Sequence, residues 1–267
     1  MDYKEICLKV VELAGNVGAF VTNERLQFDS NRIETKGKND FVTYLDKASE
    51  ERIVEGLLKI IPLAGFIAEE KTSVVKGETY NWVIDPIDGT TNFIHGLSPY
   101  AISIALLCND QLVVGVVYEM ALKETFYAWK NGGAYLNGKA IHVSERNSIA
   151  DSLIATGFPY SDYSKMEPFI ETMKFFFTNS HGLRRIGSAA TDLAYVACGR
   201  FEAFYEYALK PWDVAAGALI VTEAGGNICD FAGGSNFLYG GELIASNKNV
   251  FEEVKREIGN RFHSITN

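Results

Sequence analysis

A mixed α/β fold is the class this sequence predicts, α+β in its first part and α/β in its second. Two apolar-periodic stretches at helical spacing open the chain, and a run of short β-branched or aromatic segments separated by turn signals follows them. After about residue 146 short strands alternate with helical stretches, the pattern of an α/β layer. The chain has 267 residues, 47% of them hydrophobic, which is enough for a large core and excludes a disordered polypeptide.

The elements follow in order. Ile6, Val10, Leu13, Val17 and Val21 recur at helical spacing and predict a long helix over 3–28. Residues 31–40 are polar, contain Gly37, and read as a loop or short hairpin. Ile53, Leu57 and Ile60 predict a second helix over 45–61, ended by Pro62. Strands are expected at 81–84, 101–108, 112–118 and 125–129, with Asn109-Asp110 and Asn137-Gly138 as turns. They form an antiparallel meander packed on the first two helices. In the second part, strands at 153–156, 183–186 and 201–207 alternate with helices at 167–177, 189–198 and 211–223, and 250–260 is a last helix. No repeat or low-complexity linker is present. The chain is therefore read as an N-terminal α+β part, 1–146, and a C-terminal α/β part, 147–267, joined by a change of sheet rather than a hinge.

Charge and cysteines narrow the function. The formal net charge of -9 argues against a nonspecific nucleic-acid binder, so no direct nucleic-acid partner is expected. It also means that a phosphate ester must be drawn in by local cations, for which metal ions are the natural source. Cys7, Cys108, Cys198 and Cys229 are scattered among apolar neighbours and read as reduced core thiols. His95, His142, His181 and His263 have no metal spacing. The polar start, Met1-Asp2-Tyr3-Lys4-Glu5, has no signal-peptide core, and no run of about 18 apolar residues occurs. A cytoplasmic protein off the membrane is expected.

Asp85-Pro86-Ile87-Asp88-Gly89-Thr90-Thr91-Asn92 carries the chemistry. It follows the apolar run Trp82-Val83-Ile84. In a regular strand, residues three apart face opposite ways, but Pro86 breaks the strand and lets both carboxylates turn round one centre. The Ile87 carbonyl lies between them, and magnesium favours such a set of hard oxygens. Gly89 permits close backbone approach to a phosphate, and a threonine hydroxyl can orient an attacking water or simply cap a helical turn. Of Glu69 and Glu70, at most one enters a shared site, and spacing does not say which. Lys210-Pro211-Trp212-Asp213 is a helix start whose dipole stabilises ionised Asp213, ended by Gly225-Gly226. Asp46 sits at a helix N-terminus, where capping accounts for it.

Together these stretches resemble the inositol monophosphatase family of magnesium-dependent, lithium-sensitive phosphatases, over nearly the whole chain. The matching segments are 66–70, 82–93, Gly187-Ser188-Ala189-Ala190 and 212–226, while 36–43 and 209–211 resemble the family's bacterial branch. The resemblance implies a layered α/β/α/β/α sandwich, commonly a homodimer. It implies two to three magnesium ions, one held by Glu69, Asp85 and the Ile87 carbonyl, a second by Asp85, Asp88 and Asp213, and a weaker third near Glu69. Thr90 would bind the nucleophilic water and Asp46 would orient Thr90. Asp88, the Gly89 and Thr90 amides, Ala189 and Glu206 would contact the substrate.

The activity implied is hydrolysis of inositol monophosphate or a similar polyol phosphate. Sister activities on 3′-phosphoadenosine 5′-phosphate, fructose 1,6-bisphosphate or NADP share the same metal motif. A regulatory binding protein on this fold is the alternative of another class. Arg184-Arg185 and Lys210 would serve its partner, although surface or dimer-interface charges are the simpler reading of these residues.

Overall fold

The computed structural model describes residues 1–25, 33–37, 40–73, 75–160 and 162–263, with only the backbone path for 33–37, 40–42 and 263. Helix α1 (Tyr3–Arg25) buries Ile6, Val10, Val17 and Val21, the stripe its periodicity requires. The part of the predicted helix beyond Arg25 lies outside the described residues. A two-stranded antiparallel pair follows, β1 (Ile33–Gly37) and β2 (Asp40–Thr43), so 31–40 resolves toward the hairpin, its tip lying outside the described residues. Helix α2 (Tyr44–Ile60) starts on a capping box, in which Thr43 accepts from Leu45 N–H and donates its own N–H to Asp46 Oδ2 at 2.8 Å.

Seven strands then build the first sheet in sequence order: β3 (Gly65–Ala68), β4 (Tyr80–Asp88), β5 (Ala101–Cys108), β6 (Gln111–Glu119), β7 (Glu124–Trp129), β8 (Ala134–Leu136) and β9 (Lys139–Ile141). Only β3 departs from the antiparallel meander, pairing parallel to β4. Asn109, Asp110 and Asn137 adopt the left-handed backbone their turn positions call for. Helix α3 (Thr90–His95) branches off the end of β4.

The second sheet has the order β11-β10-β12-β14-β13, from β10 (Leu153–Thr156), β11 (Gly182–Arg184), β12 (Ala203–Tyr207), β13 (Asn227–Cys229) and β14 (Glu242–Ser246). Strand β10 runs parallel to β11 and β12, and β14 antiparallel to β12 and β13. Helices α4 (Met166–Asn179), α5 (Ala189–Ala197), α6 (Pro211–Glu223) and α7 (Phe251–His263) complete the chain. The predicted strand at 183–186 stops at Arg184, because the chain leaves the sheet there and the Ile186 carbonyl accepts from Asn92 Nδ2 at 2.7 Å.

The layers are α/β/α/β/α. Helices α1 and α2 cover one face of the first sheet, α5 and α6 fill the space between the sheets, and α4 and α7 cover the outer face of the second. Side chains alternate accordingly: Trp82 and Ile84 pack toward α1 and α2, Val83 toward α5 and α6. A third apolar layer, with Phe169, Phe176, Tyr205 and Val254, lies under α4 and α7. Helix α6 is buried continuously from Val214 to Val221, as a helix between two sheets must be.

Candidate active site

Strand β4 does not end at Pro86. Its pairing with β5 runs Asp85 opposite Ser103 and then Asp88 opposite Ala101, so three steps on β4 oppose two on β5. This bulge corrects the reading of Pro86 as a strand break. The extra residue flips the facing of the residues after it, so Asp85 and Asp88 converge although they lie three apart. The Ile87 N–H donates to Asp85 Oδ1 at 3.0 Å and steadies that carboxylate. Gly89 comes next with φ +91°, and a Cβ there would lie 3.0 Å from the Gly187 carbonyl and 3.1 Å from that of Pro99, so both conformation and space call for glycine.

Helix α6 brings the third acid. Asp213 sits in its first turn and accepts from Lys210 N–H at 2.7 Å. One carboxylate oxygen each from Asp85, Asp88 and Asp213 lies within 4.8 Å of the others. Helix α5 grips Asp88 from the far side, with Ser188 Oγ donating to Oδ2 at 2.6 Å and Ala190 N–H at 2.8 Å.

These carboxyls are held far from their ordinary behaviour. Burial, then the charges of Glu69, Asp88 and Asp213, push Asp85 well above the usual carboxylate range. Burial pushes Asp88 up to about 6 against the lowering pull of Ser188, Ala190 and Arg185. Burial and the Asp88 charge push Asp213 up to about 7. Three hard-oxygen donors, Asp85 buried and the others at the cavity edge, that repel one another fit a divalent cation of the magnesium type, which would relieve that repulsion.

Thr90 lies beside the cluster. Its hydroxyl is 2.9 Å from the Ile87 carbonyl and 3.3 Å from Asp46 Oδ1. Asp46, buried at 1% exposure, therefore does two jobs with one oxygen each, Oδ2 capping α2 and Oδ1 facing Thr90. Asp46 itself does not line the cavity.

A cavity of 530 Å³ opens over the cluster, and Glu69, Asp85, Ile87, Asp88, Gly89, Thr90, Ala189, Glu206 and Asp213 all line it. Glu69 is the wall residue of its pair, whereas Glu70 donates its N–H to Glu50 Oε2 at 2.8 Å. Arg185 and Lys210 also line the cavity; Arg185 is half-buried there, whereas Lys210 and Arg184 are exposed, as a surface charge would be. Arg185 stacks over Phe158 and Tyr160 and donates to the Tyr160 hydroxyl. Sequence reasoning missed Gly157 and Asp192. The one signal for Asp192 is a lone carboxylate in the otherwise uncharged helix Ala189–Ala197. The four cysteines are free, Cys7 and Cys229 buried and the other two half-buried. Among the described residues no helix is long and apolar enough to cross a membrane.

A layered α/β/α/β/α sandwich that converges three carboxylates under an open cavity fits one class: phosphatases built round an acid cluster. Comparison with known proteins makes the family specific. The sequence model of the inositol monophosphatase family matches residues 2–261, and the chain belongs to that family, whose members generally use magnesium. It is 40% identical over 254 residues to a Pseudomonas aeruginosa protein named Nus factor SuhB, covering 93% of each chain. It is 37% identical over 241 residues to a Mesorhizobium japonicum inositol-1-monophosphatase, covering 90% of each. Its fold is similar to that of the extragenic suppressor protein suhB from Bartonella henselae, with a TM-score of 0.91 and 34% identity over 95% of this chain and 98% of that one.

Proposed function

We propose that this chain is a magnesium-dependent phosphomonoesterase that cleaves inositol monophosphate, or a similar polyol or sugar phosphate, to the free alcohol and phosphate. The convergence of Asp85, Asp88 and Asp213 beside the Thr90–Asp46 pair carries this reading. Glu69, Asp85 and the Ile87 carbonyl would hold one cation, and Asp85, Asp88 and Asp213 a second, for two to three in all. Bound there, the cations supply charge neutralisation for the phosphate and acidify the attacking water.

The chain's own residues do the positioning. The Thr90 hydroxyl has one proton to share between the Ile87 carbonyl and Asp46 Oδ1, both acceptors, so its lone pairs can accept from a water O–H. Asp46 fixes the orientation of that hydroxyl. The Gly89 and Thr90 amides offer donors to the phosphate, and Ala189 and Glu206 lie where the alcohol would sit. No covalent phospho-enzyme is required. Lithium sensitivity, a homodimer and a cytoplasmic location belong to the same reading.

The test is a panel of inositol 1-phosphate, fructose 1,6-bisphosphate, 3′-phosphoadenosine 5′-phosphate and NADP at fixed magnesium, with and without EDTA. Inositol 1-phosphate is expected to have the highest kcat/KM, and EDTA to abolish turnover. Preference for the adenosine bisphosphate would overturn the substrate, and activity surviving exhaustive chelation would overturn the metal. Relatives named Nus factor favour a second, compatible reading, a regulatory binding protein on this fold. Partner capture by an Asp88→Asn variant, inactive as an enzyme, would separate the two roles.

A further inference from the structure

Asp192 is a buried carboxylate with no part in the chemistry above. It lies one turn into α5, is 1% exposed, and lines the cavity. Its Oδ1 is buried and has no hydrogen-bond partner among the described residues. It is not one of the three acids whose oxygens converge within 4.8 Å, so metal duty does not account for it. Buried polar atoms in folded proteins nearly always have a partner. Arg185 Nε, also buried without a partner among the described residues, acts on Asp192 only through its charge, so the cavity that Asp192 lines is where a hydrogen-bond donor for it would enter.

Glu206 reaches the same cavity from β12. Its carboxyl occupies the space that a side chain at Gly157 would take, since a Cβ there would fall within 2.0 Å of both carboxyl oxygens. Burial and then the Glu206 charge raise Asp192, and Arg185 acts on both acids with opposite sign. With that guanidinium at hand the wall is partly neutralised. It suits a neutral ligand rich in hydroxyls, which donate to carboxyls and accept from N–H groups, better than a cationic one.

We propose that Asp192 is a second hydroxyl-binding residue of the substrate pocket, which with Glu206 forms a two-carboxyl wall gripping neighbouring hydroxyls of the polyol leaving group. This rests on the polyol phosphatase reading and adds a residue that selects the alcohol. The phosphate end is handled by the acid cluster and Thr90. Asp192 therefore discriminates between alcohols and does not act on the phosphoryl group.

The test compares wild type, Asp192→Asn and Asp192→Ala on two esters at saturating magnesium. One is inositol 1-phosphate. The other is p-nitrophenyl phosphate, whose leaving group has no hydroxyl to grip. Leaving a substrate hydroxyl without its buried partner is expected to raise KM for inositol 1-phosphate, so that the ratio of kcat/KM between the two esters falls roughly ten- to hundredfold. The melting temperature is expected to stay at or above that of wild type, because a buried carboxyl without a donor stabilises nothing. An equal loss on both esters, an unchanged ratio, or a loss that follows a lowered melting temperature would each overturn the proposal. A wild type that cleaves p-nitrophenyl phosphate but no polyol phosphate would overturn the substrate class and this role together. A wild type that cleaves both, with unaffected variants, would overturn the role of Asp192 alone.

Discussion

At the scale of single residues the site depends on missing atoms as much as on present ones. Gly157 has an ordinary backbone conformation, so alanine fits the chain there. The added Cβ, however, would lie 1.9 Å from the Glu206 carboxyl carbon. What must move is the far end of a flexible side chain, so the fold absorbs the change and the pocket does not. Gly157→Ala is expected to raise KM for the polyol phosphate roughly tenfold or more, the worth of a hydrogen bond to a charged group. The melting temperature should stay within about 2 °C of wild type, as for substitutions that leave the core alone. Steady-state kinetics beside a thermal melt checks this, and an unchanged KM would show that Glu206 does not touch substrate. Asp46 teaches a related lesson. The helix start predicts its capping role correctly, and that role falls on Oδ2 while Oδ1 faces Thr90, so a structural explanation for a carboxylate does not exhaust it.

At the scale of elements, α6 is the part that ties the sheets to the acid cluster. Its Ala215-Ala216-Gly217-Ala218 run lets it lie close to β6, where a Cβ on Gly115 would come 2.6 Å from the Ala216 carbonyl oxygen and 3.2 Å from its Cα. Backbone cannot yield as a side-chain tip does, so Gly115→Val has to lift the helix, and with it Asp213 in the first turn. Overpacking of this kind costs about 1–3 kcal/mol. The expected outcome is a lower melting temperature and a higher magnesium concentration for half-maximal activity. A variant with wild-type values of both would show that the helix seat does not set Asp213. Much of this element was legible: Pro211 opens the helix and Gly225-Gly226 closes it, and the predicted bounds agree with those observed. Strands β5 and β10 were legible for the same reason, as β-branched runs between turn residues. Strands β13 and β14 were not, because three and five residues next to glycines become strands only by pairing with one another and, for β14, with β12. The contiguous string from Asp85 to Thr90 announced the acid cluster, but its bulge did not show, since a bulge is a mismatch with the partner strand. Glu69 could not be chosen over Glu70 by spacing. Asp192, Arg185 and Gly157 come singly from three places, so only the fold assembles them.

At the scale of the whole molecule, the layers hold several carboxyls together that would separate if the chain unfolded. In the unfolded chain an Asp titrates near 3.8; in the folded one Asp88 is pushed up to about 6 and Asp213 to about 7, with Asp85 well above the ordinary value. Between these limits the folded state binds more protons than the unfolded state, so stability falls as pH rises. The contribution is fully present below about pH 4 and is lost as pH climbs through about 6 and 7. Magnesium, if held as proposed by the ionised carboxylates of the folded chain alone, should offset that loss by mass action. The rest of the chain, including the surface that gives the net charge of -9, titrates alike with and without metal at fixed ionic strength. The difference between melting temperatures in magnesium and in EDTA therefore isolates the cluster. That difference should be small at pH 5 and grow to roughly 5–10 °C at pH 8 with magnesium well above its dissociation constant. Asp213→Asn, which removes one of the repelling charges, should lessen the pH dependence of the EDTA series. A magnesium-induced shift as large at pH 5 as at pH 8 would mean that the cation does not meet these carboxylates.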